Sequence, residues 1–489
     1  MKRSIKVYGL MLTLALLIVV TVVAVKNQNT ETADTQEDTS VTIFTLEDTD
    51  VTALSWTWDG ETVELEREDE LWCYAPDPSF PLDDSQMEVM LSDLTELKAD
   101  KTIEAPEDLS QYGLEEPAAT VTVTTGTEGE RQILLGDETG MGGSVYCDVG
   151  DGNVYLVDEA VLDDFCYGLY DLVEKETIPA MNDILKVTIQ AGTRNLELDY
   201  LEDSGLAYSD EYVWFLNQEG SYVTLDTELT ESFLGNITDL SWGTCVDYKA
   251  QEDLSQYGLE EPAAVVTIDY IETTRQETNE TDEDGNTVYE TVQEEKSFVL
   301  ELGSYVDSDC YARLAGSGLV YRVDGAVLDR MLYADWQELL PDDVLLLEED
   351  ELESVDVTLN GETRTLYREV RVVEAEEDSA VEASDSAEPE TTEETVYLLE
   401  DQKVDFGEIL DMLAAMTSAG TVDQVPENAQ ELVSITFHRN TDSWPEVTLA
   451  FLQYDSSSCI LRLNGETRLL VYRDEAQAVA EALEDLLAE

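Results

Sequence analysis

The sequence predicts an α+β protein: an N-terminal transmembrane helix followed by tandem repeated modules, each an antiparallel sheet with packed helices. Three observations carry this expectation. Residues 7–25 (VYGLMLTLALLIVVTVVAV) are 19 consecutive residues without a charge. The stretch EDLSQYGLEEPAA occurs twice, at Glu107–Ala119 and at Glu252–Ala264. Strand-like alternation punctuated by Asn-Gly and Asp-Gly turns outnumbers segments of helical periodicity.

Residues 1–6 hold Lys2, Arg3 and Lys6 and are expected to stay in the cytoplasm, because basic residues flanking a span are retained inside. At 1.5 Å per residue, residues 7–25 are long enough for a hydrocarbon core of about 30 Å. A cleaved signal peptide is the competing reading, but the small-x-small site is poorly formed at Val23-Ala24-Val25 and the apolar run exceeds a usual signal core. No Cys follows the run to take a lipid anchor. Residues 26–46 read as a polar tether. The expected location is therefore the cell membrane, single-pass, with the C-terminal bulk extracytoplasmic.

The first module is assigned to residues 47–180. It opens on a hairpin at Trp58-Asp-Gly-Glu-Thr62, continues in a strand with Trp72, and then shows helical spacing over Ser85–Ala99 (Met87, Met90, Leu91, Leu94, Leu97). After the repeated turn come several strands and a closing helix, Ala160–Tyr167. The second module, residues 181–347, has the same plan: a Trp214 strand, a helix over Glu228–Leu240, and the second copy of the turn. The offset between the copies grows from 145 to 166 residues by Val320, placing the extra length in polar Glu272–Lys296, centred on Asp284-Gly285. That stretch reads as an extended β-hairpin. The third module, residues 348–489, is divergent. It repeats the hairpin signal at Leu359–Thr363 and Leu463–Thr467 and has a helix over Asp405–Ser418, but holds Val425-Pro-Glu-Asn where the others have the turn. Its acidic, low-complexity stretch 374–395 is predicted to be a disordered loop.

Backbone chemistry explains the repeated turn. Pro106 suits a first helical position, and Glu107 and Asp108 favour a helix start. Gly113 is placed in the left-handed conformation after the turn, with Leu114 folded back on Leu109. Pro117 stops the helix and launches the next strand. Leu254, Gly258, Leu259 and Pro262 repeat the scheme. Tyr112 and Tyr257 are read as structural, with a ligand-facing role as the alternative. These ten residues form a repeated structural signature.

The YGL-x-x-P turn, the later strand ending in Leu135-Gly136 or Leu302-Gly303, and the Val-Tyr strand that follows resemble the bacterial family catalogued as domain of unknown function 4340. The resemblance is close over roughly residues 50–345 and weak over 350–489. It implies one N-terminal transmembrane helix, repeated modules, and an association with ABC-type transport systems related to gliding-motility components. It supplies no catalytic residues to carry over.

Charge narrows the partners. The chain has 25 Lys and Arg against 111 Asp and Glu, a net charge of −86. Such a surface repels nucleic acid and anionic headgroups and attracts cations and basic proteins; it also serves solubility. Nucleophile-elbow, HExxH, Walker and dinucleotide motifs are absent. The six Cys occupy no repeated positions and read as small buried residues, and the lone His438 lies in a strand pattern, pointing outward. The Asp282–Asn286 stretch fails the EF-hand pattern, leaving only unspecific cation binding at Asp342-Asp343 or Glu348–Glu351. Trp56 and Trp58 share a strand face and are either core or a partner platform. No catalytic, cofactor or metal residue is therefore assigned, and an enzyme ranks last. The expected function is a binding or scaffolding component of a membrane complex, with transporter subunits or a basic envelope component as partner and no nucleic acid. The alternative is a cell-envelope polymer or cation binder.

Overall fold

The computed structural model describes residues 40–488 apart from 69–70, 141, 282–286, 375–390, 423 and 427. The expected span at 7–25 and most of the tether lie outside the described residues, as does most of the acidic loop. Among the described residues no helix is long and apolar enough to cross a membrane. The α+β expectation is overturned: among the described residues 48% are strand against 20% helix, arranged in four antiparallel sheets, and so the fold is mostly β. The reason lies in how each module is assembled. A single helix of 9 to 12 residues bridges two strand meanders, while polar stretches such as Glu362–Glu374 and Thr391–Leu399 are paired strands.

Each module follows one plan. Its first strand sits in the middle of the sheet and leads outward through hairpins to one edge. A helix then carries the chain to the opposite edge, and a second meander begins again beside the first strand. In the first module Val51–Trp58 pairs with Glu61–Glu68 on one side and Ala119–Thr125 on the other. In the second, Asp183–Ala191 lies between Arg194–Tyr200 and Ala264–Thr281. In the third, Leu352–Leu359 lies between Glu362–Glu374 and Glu431–Arg439. The extended hairpin pairs Ala264–Thr281 with Thr287–Val306. A separate small sheet pairs Val41–Thr45 with Glu96–Ala99.

Period-two burial explains the strands. Ala119, Val121 and Val123 are buried while Thr120, Thr122 and Thr124 between them are partly open. The helices bury one stripe each: Met87, Met90, Leu91 and Leu94 from α1 (Asp84–Thr95), and Phe233, Leu234 and Ile237 from α2 (Thr227–Thr238). The helix expected over Ser85–Ala99 stops at Thr95, because Glu96–Ala99 is drawn into the small sheet. The helix predicted over Asp405–Ser418 is shorter, Gly407–Ala415. The Asp-Gly and Asn-Gly turns have the paired positive φ of a type I′ hairpin: 47° and 79° at Asp59-Gly60, and 52° and 84° at Asn360-Gly361.

The chain divides into two compact units. The first runs to Glu176 and takes in Thr244–Tyr248; the second comprises Thr177–Gly243 and Lys249–Glu489. Within the first unit, the Tyr248 hydroxyl donates to the Asp77 carboxylate at 2.5 Å, and its ring meets Phe80 edge-on at 5.0 Å. The second and third modules share the second unit.

Candidate functional site

The ten signature residues build two turns rather than a pocket. Leu109–Tyr112 is a 3-10 turn capped by Asp108, whose carboxylate accepts from the Ser110 amide at 3.0 Å; Pro106 lies outside it. Gly113 has φ 70°, and the Leu114 and Gly113 amides donate back to the carbonyls of Leu109 at 3.2 Å and Ser110 at 3.3 Å. The second copy repeats the geometry. Gly258 has φ 67°, and the bonds run from Leu259 to Leu254 at 3.1 Å and from Gly258 to Ser255 at 3.1 Å. Leu114 and Leu259 are buried, whereas Leu109, Leu254, Pro117 and Pro262 are half-buried. Tyr112 packs on Tyr146 at 4.9 Å and Tyr257 on Tyr311 at 5.0 Å, so each pins its turn to the sheet. Gly136 and Gly303 sit directly beneath the turns. A Cβ on either would collide with the carbonyl oxygen of Tyr112 or Tyr257, which ties the Leu-Gly strand end to the YGL turn.

Other sequence candidates also fall to structure. Trp56 is core, its indole N–H donating to the Tyr167 carbonyl at 2.9 Å. All six Cys are free thiols, four of them buried. His438 is half-exposed between Asp356, 3.0 Å from Nε2, and Glu446, 3.5 Å from Nδ1. Asp342 and Asp343 gather with Asp226, their carboxylate oxygens within 4.8 Å of one another. Asp226 is engaged as the cap of α2, accepting from the Leu229 amide at 2.7 Å.

One concave feature of the second unit lies where its two modules meet. Residues 201–213 leave the strand Arg194–Tyr200 of the second module and lie against the third. Trp444 donates its indole N–H to the Gly205 carbonyl at 3.1 Å. Arg439, buried at 7% exposure, donates to the Tyr208 carbonyl at 2.6 Å and is ion-paired with Glu351. The Tyr208 hydroxyl accepts from the Leu346 amide at 3.2 Å, and the Tyr212 hydroxyl donates to Asp343 at 3.1 Å. Burial pushes both tyrosines and Asp343 above their usual pKa values, and lowers that of Arg468. Above this fixed floor is a cavity of about 360 Å³. Leu206, Tyr222 and Trp444 stand at its rim, each more than a third exposed. Asp343, Glu466 and Arg468 are its charged lining.

An apolar rim over a hydrogen-bonded floor with a carboxylate excess can hold an apolar side chain flanked by a basic one. The sequence reading missed this cleft. Its one sequence-level signal is the Tyr208/Tyr212 pair inside a polar connection, with a solitary Trp444 in another; neither carries meaning until the modules are brought together.

A family model described as Domain of unknown function (DUF4340) matches residues 72–211 and 214–434. No curated protein and no solved structure matches the chain.

Proposed function

Because this chain belongs to the family described as Domain of unknown function (DUF4340), whose description carries no activity, we propose that it is a binding or scaffolding component of a membrane complex of the transport type, with the binding role read from its own geometry. The partner docks in the cleft between the second and third modules. The observation that carries this reading is the exposed trio Leu206, Tyr222 and Trp444 around a concave floor already satisfied in its hydrogen bonds. Exposed aromatic and aliphatic anchors around a pocket are the anatomy of a protein-binding hot spot. The net charge of −86 selects a partner segment that bears Lys or Arg beside its apolar anchor. We place the protein at a cell membrane with its bulk outside, on the strength of the basic, acid-free start and apolar run of residues 1–26.

The test is photo-cross-linking in native membranes, with a benzophenone amino acid at position 222 and mass spectrometry of the adducts. The expected outcome is one recurring subunit of a membrane complex, cross-linked through an apolar residue near a basic one, and lost in the Leu206→Asp variant. Adducts with wall polymer alone, or adducts unchanged by Leu206→Asp, would overturn the docking role.

A further inference from the structure

A second cleft, of about 520 Å³, opens within the second module, and nothing in the docking reading uses it. Its volume is in the range of small-molecule sites, roughly 300–1,000 Å³. Trp214 and Leu234, each 2% exposed, form part of its wall, and the Tyr200 ring meets Trp214 edge-on at 5.3 Å. Three exposed carboxylates line it from three separate elements: Asp183 at the start of a strand, Glu202 just past the end of another, and Glu231 on α2. Among the described residues no Lys or Arg lines it.

Two further facts constrain what the cleft takes. The Trp214 indole N–H is buried without a hydrogen-bond partner, a state that costs free energy unless an acceptor arrives. Asp183, Glu202 and Glu231 do not converge closely enough for a metal: among the described residues the grouping within coordinating reach of one ion is Asp226, Asp342 and Asp343. Yet all three act on the Tyr200 hydroxyl, whose pKa is raised first by burial and then by Glu202, Glu231 and Asp183. The carboxylates therefore line one cleft without standing close enough to share one ion. We propose that this cleft binds an organic ammonium ion with an apolar or aromatic body that carries a hydrogen-bond acceptor. The ammonium sits among the three carboxylates against the Tyr200 and Trp214 rings, and the acceptor takes the indole N–H.

The test is isothermal titration of the full chain with tyramine, and with tyrosol, which replaces the ammonium by a hydroxyl. Saturable one-to-one binding of tyramine is expected. Affinity should fall at least tenfold for tyrosol and in the Glu202→Gln/Glu231→Gln variant, and several-fold in Trp214→Phe. Equal affinity for tyrosol, undiminished binding in the double variant, or no tyramine heat overturns the proposal. So does stoichiometric displacement by Ca²⁺ that disappears in the double variant, which would mark a metal site. The variants leave Leu206, Tyr222 and Trp444 untouched, so this result and the cross-linking result stand or fall separately.

Discussion

Asp164 shows how one residue's surroundings set a property of its whole unit. It lies partly buried beside Asp93, and burial together with that neighbour pushes its pKa up to about 6. An unfolded Asp titrates near 3.9. The folded value is the higher one, so the folded state binds the extra proton. The stabilisation is complete below about pH 4 and is lost as pH rises through about 6. Scanning calorimetry between pH 4 and 7 should show the first unit's transition falling with rising pH in the native chain and staying flatter in Asp164→Asn. At this scale the sequence is legible where a residue answers to its own backbone. Gly113 and Gly258 were placed by the turn they must close, and both have positive φ. It is illegible where a residue answers to tertiary neighbours. Among 111 acidic residues, nothing marks Asp164 or the trio around Tyr200 until strands and helix bring them together.

At the scale of elements, the coupling of turn and strand end is the most testable feature. Gly303→Ala would force a methyl against the Tyr257 carbonyl and the Leu259 side chain, whereas Gly60→Ala meets open space and bears only the cost of positive φ. Denaturant unfolding should therefore show Gly303→Ala destabilised by about 3 kcal/mol or more, since backbone and side chain must both shift. Gly60→Ala should lose only about 1 kcal/mol. The hairpins were readable because Asn-Gly and Asp-Gly leave the backbone one favourable route. The helix ends were not, because Glu96–Ala99 continues an apolar spacing that the small sheet claims. The extended hairpin expected around Asp284-Gly285 has paired arms, Ala264–Thr281 and Thr287–Val306, whereas the full reach of Glu362–Glu374 was not legible, because much of its length is polar on both faces, where alternation gives no signal.

For the whole molecule, charge dominates. At −86 the folded chain works against its own repulsion, which salt screens over about 10 Å at 0.1 M. Raising NaCl from 50 to 500 mM should raise the melting temperature of both units, and Na₂SO₄ at equal ionic strength should do at least as well. A fall in melting temperature over that range would mean that specific ion pairs, such as Arg439 with Glu351, outweigh the net repulsion. That the large sheets share one plan was readable from the repeat. Their grouping was not, because the cleft and its partners Tyr208, Tyr212, Arg439 and Trp444 arise only from contact between two modules whose sequences have diverged.

The segment Thr244–Tyr248 belongs to the first unit although it lies in the sequence of the second repeat. During synthesis the ribosome must therefore deliver Tyr248 before Asp77 and Phe80 receive their partner. By then, four of the nine strands described for that repeat's sheet are still unmade. The nascent first module waits with that contact open, and a chain arrested near residue 180 should be held by chaperones or trimmed by proteases more readily than one arrested past 248.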